Sequence, residues 1–432
     1  MNSEHRLFAA FLVLLVTMLT ACTQKNSDTD EKSADGNEES IRYIEPNAAT
    51  GTSMGTVVSG KLPLAHTGQF LALDKDGKLV GTDNTGQQIQ QVLKNVRLAL
   101  TEVGAGLENL VKLNVYVASN EVAEQVRTYF ADTFTGEAKP AVSFVVTKLP
   151  RQKALVAMDA VAAGVEARDQ SEVLHADSLY GVPNRGHVAI LPVGERVYLS
   201  GQVDPGDLLT ATRGTIESLH GTLAYLGLSA EDVAQVKAYL PDASRVDEVE
   251  KVIAEYYREK PVPPVVFVEW SEGDYLRYLS TDGEKATPIE ISLITSGKAS
   301  TEDTTYARDS PNYLTYPGLT DYPGYSRIVT VPQADLVYTS GLYGGPSRDA
   351  AGQVQDIFRK MKDILKKAGS DFDHLVKGTY YVTGEESSDK LGDIRKDLFN
   401  PDRFPASDKM PVRGVGEKEV TITIEMVGMV PK

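Results

Sequence analysis

The chain has 432 residues, with 44 basic against 60 acidic side chains, a formal net charge of −16 and one cysteine. That length exceeds one ordinary domain and predicts two or three. The acidic surplus excludes nucleic acid as a natural partner, because it repels a phosphate backbone, and a lone cysteine excludes a disulfide framework.

At the N-terminus, Met1–Arg6 is polar with one arginine, and Leu7–Thr17 is almost wholly apolar. Such a short run ahead of small residues reads as a secretory leader, not a membrane span. It ends on Leu19-Thr20-Ala21-Cys22, and Cys22 is the only cysteine. The tetrapeptide resembles a bacterial lipobox. The resemblance implies a leader over residues 1–21, lipidation of the Cys22 sulfur, and a lipid-anchored place in the cell envelope on a periplasmic or extracellular face. Thr23–Ser40 carries six acids and two lysines and almost no apolar residue. It cannot build a core, so residues 22–41 are expected to be a flexible acidic tether.

Beyond the tether the sequence repeats. Leu100–Val117, Leu223–Leu240 and Leu365–Val382 each leave a helical pattern at a glycine, turn through polar residues and enter a strand-like run. The glycines Gly104, Gly227 and Gly369 each precede a strand tyrosine, Tyr116, Tyr239 and Tyr381, by twelve residues. Upstream, Thr67-Gly68, Ser200-Gly201 and Ser340-Gly341 follow apolar runs, and apolar spacing predicts helices over Ile89–Leu100, Thr215–Leu226 and Val354–Leu365. Shorter helices are expected over Glu121–Phe134, Arg245–Glu259 and Lys390–Phe399, with the glycines as C-terminal caps. Each copy closes on a strand with one acid: Asp159, Glu290 and Glu425. The unit reads β, β, α, turn, β, α, β, β, an α+β layer. Three such domains are expected over residues 42–166, 167–298 and 299–432.

One residue breaks the pattern. Lys139–Val146 (KPAVSFVV) and Val262–Trp270 (VPPVVFVEW) place Val142 and Val265 26 residues beyond the strand tyrosine, whereas Lys409–Gly414 (KMPVRG) invites a match to Arg413, 32 residues beyond.

The first copy, with GQFLALDKDGKLVG, TGQQIQQVLKNVRLALTEVGAGLENLVKLNVYV and KPAVSFVVTKLPRQKALVAMDAVAA, closely resembles the RidA/YjgF/UK114 family. The resemblance implies a chorismate-mutase-like fold and trimers with clefts between subunits. Three copies in one chain then imply a monomeric, intramolecular pseudo-trimer. Active members hydrolyse reactive enamines and imines of amino acids to 2-keto acids and ammonia, without a cofactor or metal. Their Pro-Ala-Arg-Ser arginine holds a substrate carboxylate, a task that suits the bidentate guanidinium fork. Carried over, Arg413 matches that arginine, Glu425 the late glutamate, Tyr325 the early cleft tyrosine, and Gly341 the glycine whose N–H faces the ligand. The resemblance thus makes Arg413 and Glu425 catalytic and makes Tyr325, Gly341 and Arg413 substrate-binding, for a small carboxylate-bearing ligand. At most one cleft, in the third domain, would be competent. Departures exist, with Val412 for the usual alanine and Gly414 after the arginine. The bland alternative for Arg413 is a surface pair with Glu417 or Glu419. The alternative for the whole chain is a non-catalytic binding or scaffold lipoprotein.

Other motifs carry less. Gly51-Thr52-Ser53-Met54-Gly55 fits G-x-S-x-G, but lacks the strand before and helix after that a nucleophile elbow needs. The six histidines show no zinc-binding spacing, and Gly341–Pro346 lacks the Gly-Lys-Ser/Thr end of a P-loop.

Overall fold

The computed structural model describes residues 41–181, 184–257, 260–271, 288–297, 309–320, 323–345 and 348–432. The leader, Cys22 and the acidic tether lie outside the described residues.

Three mixed sheets and six helices are present among the described residues. The first stretch gives β1 (Ile41–Ile44), β2 (Gly55–Val58), β3 (Leu64–Thr67), β4 (Phe70–Leu71), α1 (Thr85–Thr101), β5 (Leu110–Val117), α2 (Asn120–Thr133), β6 (Ala141–Val146) and β7 (Val156–Ala163). The second gives β8 (Glu172–Leu174), β9 (Val188–Leu191), β10 (Arg196–Gln202), α3 (Leu208–Tyr225), β11 (Val233–Leu240), α4 (Val246–Tyr256), β12 (Val265–Glu269) and β13 (Glu290–Ser296). The third gives β14 (Asn312–Leu314), β15 (Ile328–Val331), β16 (Asp335–Thr339), β17 (Leu342–Tyr343), α5 (Ala350–Ala368), β18 (Leu375–Val382), α6 (Glu385–Leu398), β19 (Ala406–Pro411) and β20 (Ile422–Val430).

Capping and periodicity account for the long helices. Asn84, Asp207 and Asp349 accept hydrogen bonds from first-turn N–H groups of α1, α3 and α5. Just past the three C-termini, Gly104, Gly227 and Gly369 adopt φ of +73°, +70° and +87°, which a side chain would disfavour. On α1, Ile89, Val92, Leu93, Val96, Ala99 and Leu100 form the buried stripe that covers one sheet face. Four helices start several residues earlier than apolar spacing predicts: α1 at Thr85, α3 at Leu208, α5 at Ala350 and α6 at Glu385. α3 begins at Leu208 because Asp207 caps it. α6 begins at Glu385, where Glu385 and Glu386 suit the positive end of the helix dipole without adding an apolar period.

Strands are exchanged between stretches. The first sheet runs β6-β5-β7-β3-β9-β8, the second β12-β11-β13-β10-β15-β14, and the third β1-β2-β16-β20-β18-β19. Each sheet is therefore completed by the leading strands of the next stretch, and β1 and β2 close the cycle on the third. Three equivalent side chains stitch neighbouring sheets. Lys112 donates to the Thr339 carbonyl at 2.7 Å, Gln235 to that of Thr67 at 2.7 Å, and Lys377 to that of Leu199 at 3.2 Å. The faces away from the helices share buried residues, among them Val111, Ala234 and Val376 in one apolar cluster and Tyr116, Tyr239 and Tyr381 in another.

Candidate functional site

Strand register fixes which residues correspond. Tyr116 pairs with Val145, Tyr239 with Val268 and Tyr381 with Met410. Counting back three places from each partner, Val142 corresponds to Val265 and to Ser407. The match of Arg413 to the two valines is thereby corrected: the 26-residue spacing holds in the third stretch too, and leads to Ser407. Asn114 pairs with Asp159, Lys237 with Ser292 and Thr379 with Glu425. Ser292, not Glu290, is thus the counterpart of Asp159 and Glu425. Glu290 pairs with Tyr239, two places away.

The four candidate residues Tyr325, Gly341, Arg413 and Glu425 do not line one cleft. Arg413 donates from Nη2 to Glu269 Oε1 at 2.9 Å, joining a half-exposed guanidinium to a carboxylate that is only 1% exposed. Neither Glu417 nor Glu419 is its partner: Glu417 pairs with Arg127 at 3.1 Å. The Arg413 backbone N–H donates to Val146, which in turn donates to Gly414, so this segment lies against β6. It turns at Gly416, where φ is +83° and an added Cβ would lie 2.4 Å from Phe144 Cβ. Gly341 donates its N–H to the Val142 carbonyl at 3.0 Å, so that amide is already used.

Glu425 is buried and paired with Lys112 Nζ at 2.8 Å. Burial alone would raise its carboxyl, but Lys112 and Lys237 outweigh it and hold it at about 2. This pair belongs to a polar axis through the interior. The Lys237 ammonium stands 6.0, 5.8 and 5.6 Å from the ring centroids of Tyr116, Tyr239 and Tyr381 and donates to the Tyr381 hydroxyl at 2.9 Å. Tyr116 donates to Asp159 at 2.7 Å, and Lys377 pairs with Asp408 at 2.8 Å. Beside them a cavity of about 70 Å³ is bounded in part by His66, Tyr198 and Tyr338, which occupy corresponding positions in the three sheets. Burial drives His66 down to about 3, so it is a neutral imidazole.

Clefts at the sheet boundaries differ in what they offer. Where the first and second sheets meet, a cleft of about 420 Å³ contains His187, Arg185 and Glu250. Its buried charged and imidazole groups already have partners in the protein. Arg185 pairs with Glu250 at 2.8 Å, and His187 accepts from the Ala176 N–H at 3.0 Å while burial lowers it to about 4.

The boundary of the second and third sheets is different. Its cleft, of about 730 Å³, holds Tyr325, the one expected ligand-binding residue placed there, with Arg327, Arg395, Lys396, Ser407 and Lys409. The Arg327 guanidinium stacks 5.2 Å from the Tyr325 ring and donates twice to the Thr320 carbonyl. Arg395 stacks 5.0 Å from the Tyr380 ring and 5.8 Å from that of Phe404, and its Nε is buried with no hydrogen-bond partner in the protein. Lys409 donates to Ser388 Oγ at 2.9 Å, and burial, assisted by Arg395, lowers its ammonium to about 8. Glu290 is buried at the cleft floor over Gly201, where an added Cβ would lie 1.9 Å from its Oε1. Burial and the neighbouring Asp408 raise its carboxyl well above the ordinary range, which favours its neutral form. Asp408 instead accepts the Gly201 N–H at 3.0 Å. Sequence reasoning missed Arg395, Ser407 and Lys409. A constant 26-residue spacing was the signal for Ser407 and, two places on along β19, for Lys409. Arg395 lies on a helix surface and left no such signal.

The family model described as Endoribonuclease L-PSP matches residues 44–164 and 320–430, together more than half of the chain. A RutC family protein of Sulfurisphaera tokodaii is 33% identical over 90 residues, covering 19% of this chain and 71% of that protein. One from Pyrococcus abyssi is 34% identical over 97 residues, covering 22% and 73%. Among solved structures, a protein of the conserved Rid family from Yersinia pestis is 27% identical with a TM-score of 0.26, covering 28% of this chain and 97% of that one. A member of the YjgF/YER057c/UK114 family from Mycobacterium tuberculosis is 24% identical with a TM-score of 0.21, covering 23% and 86%.

Proposed function

This chain belongs to the Endoribonuclease L-PSP family, and we propose that it binds a small carboxylate-bearing molecule in the cleft between its second and third sheets. We read it as three tandem RidA-like domains folded as a single-chain pseudo-trimer, held in the cell envelope by lipidated Cys22. The observation that carries the binding reading is Arg395: a guanidinium whose Nε is buried without a protein partner, in a cleft that also gathers Arg327, Lys396 and Lys409. A buried unused donor is costly, and a carboxylate is the acceptor that best relieves it. Acidic side chains also line this cleft, but burial and Asp408 favour the neutral form of its buried one, Glu290.

Imine hydrolysis is the second reading, favoured by Glu290, a buried acid whose raised carboxyl favours the form that can donate to a developing leaving group. None of the corresponding positions Val142, Val265 and Ser407 is an arginine, so any such chemistry differs from the family's own arrangement. Nucleic acid remains a poor partner for a chain of net charge −16.

Calorimetric titration with 2-oxobutanoate tests the binding reading. Arg395→Ala should weaken binding at least about tenfold, the value of a charge-assisted hydrogen bond. Equal affinity of the two proteins would sink it. Disappearance of 2-iminobutanoate generated in situ tests the second reading, which fails if the wild type does not accelerate it.

A further inference from the structure

Lys409 lies on β19 two residues after Ser407, so both side chains leave the strand on one face, toward the same cleft. Two groups neighbour its amine, and a third lines the same cleft. Ser388 Oγ holds it at 2.9 Å. Arg395 lies close enough to disfavour its charge. Glu290 lines the same cleft as a buried acid. An amine beside a guanidinium that can hold a carboxylate, with a buried carboxyl group in the same cleft, is the set needed for attack on a carbonyl carbon next to a carboxylate.

We propose that Lys409 is an amine nucleophile that forms a covalent imine with C2 of a 2-oxo or 2-imino acid bound in this cleft. The inference rests on the carboxylate-binding reading above. The amine lone pair attacks C2, forming a C–N bond, and the C=O π pair moves to oxygen, which takes a proton to give a carbinolamine. Glu290 lends a proton to the departing hydroxyl, and the nitrogen lone pair expels it as water. The nitrogen then loses its second hydrogen, which restores the Glu290 proton. The two amine hydrogens leave with the oxygen, and nothing is oxidised or reduced. With a 2-imino acid the same sequence releases ammonia instead of water, and hydrolysis of the lysine imine then yields the 2-oxo acid. The depressed proton affinity of Lys409, about 8, supplies a usable fraction of neutral amine near neutral pH.

The test uses the full chain, 2-oxobutanoate and sodium cyanoborohydride, which reduces an imine to a stable secondary amine. Peptide mass mapping should locate the adduct on Lys409. Lys409→Arg should abolish it, and Glu290→Gln should slow its accumulation at least about tenfold, as expected when a general acid is lost. Trp270, the one tryptophan and a buried one, reports whether each variant is folded. Calorimetric binding without any adduct overturns the nucleophile and leaves the binding cleft standing. The same adduct yield in Lys409→Arg also overturns it. If the wild type shows neither binding nor adduct, the cleft reading falls and this inference with it.

Discussion

Glu425→Gln asks whether the late glutamate is a catalytic group or a part of the interior. Its carboxylate lies 2.8 Å from Lys112 Nζ, with side-chain exposures of 11% and 6%. Lys112 is on β5 in the first sheet and Glu425 on β20 in the third, so the pair ties two sheets together. Moving a carboxyl from its ordinary 4.5 to about 2 corresponds to about 3 kcal/mol. That matches the roughly 3–5 kcal/mol lost when one member of a buried pair is removed. The neutral amide leaves Lys112 facing burial with less to offset it. Burial already lowers that ammonium, and Glu425 is the main group pulling it back up. The variant should therefore lose about 3 kcal/mol at pH 7 and recover part of it as pH rises and Lys112 sheds its proton in the fold before it does in the unfolded chain. In the wild type the sign at acid pH is the usual one for a depressed carboxylate. Its contribution is complete above about 4.5 and disappears as pH falls toward about 2. Urea unfolding followed by Trp270 emission measures both. A loss under about 0.5 kcal/mol at pH 7 would refute the reasoning, because a buried counter-ion cannot be so cheap to remove.

Arg413→Ala should leave 2-oxobutanoate affinity unchanged within about twofold and cost about 1 kcal/mol of stability, since Glu269 keeps the Ala243 N–H at 2.9 Å and Lys148 at 3.8 Å. A tenfold rise in the calorimetric Kd would return Arg413 to the ligand site. Burial holds His66 at about 3 against an ordinary 6.5, so the unfolded chain binds more protons between those values and stability should fall as pH drops through that window. His66→Leu should flatten this part of a urea-midpoint profile; an unchanged profile would assign the acid sensitivity elsewhere. Gly416→Ala should cost about 1–3 kcal/mol, because φ is +83° and the new methyl meets Phe144. A neutral thermal shift would mean that the segment against β6 is loosely held.

The local reading succeeded where structure is local. Three glycines twelve residues ahead of three strand tyrosines marked real helix ends, because a left-handed cap and the polar turn after it are written in adjacent residues. The tyrosines were also legible as equivalents, although not that all three would surround one ammonium from a single stretch. Arg413 failed for a definable reason. Apolar neighbours on both sides, Pro411-Val412 and Val415, made it look like the strand position of Val142. Yet the pairing of β18 with β19 had already fixed that position six residues earlier, at Ser407. The Glu290 match failed likewise, by two places on β13.

By itself, then, the sequence determined the helices with their C-terminal glycines, the recurring glycine–tyrosine spacing, the strand content, the family resemblance and the acidic balance, since each depends on residue types and short spacings. Only the tertiary structure decided which carboxylate faces which lysine, which glycine amide is already occupied, and which sheet boundary gathers Arg395, Lys409 and Glu290. Those contacts join residues more than a hundred positions apart in some cases, as Gly201 with Asp408 does. A strand displaced by one residue turns every side chain to the opposite face, so the site existed only once the register of all three sheets was set.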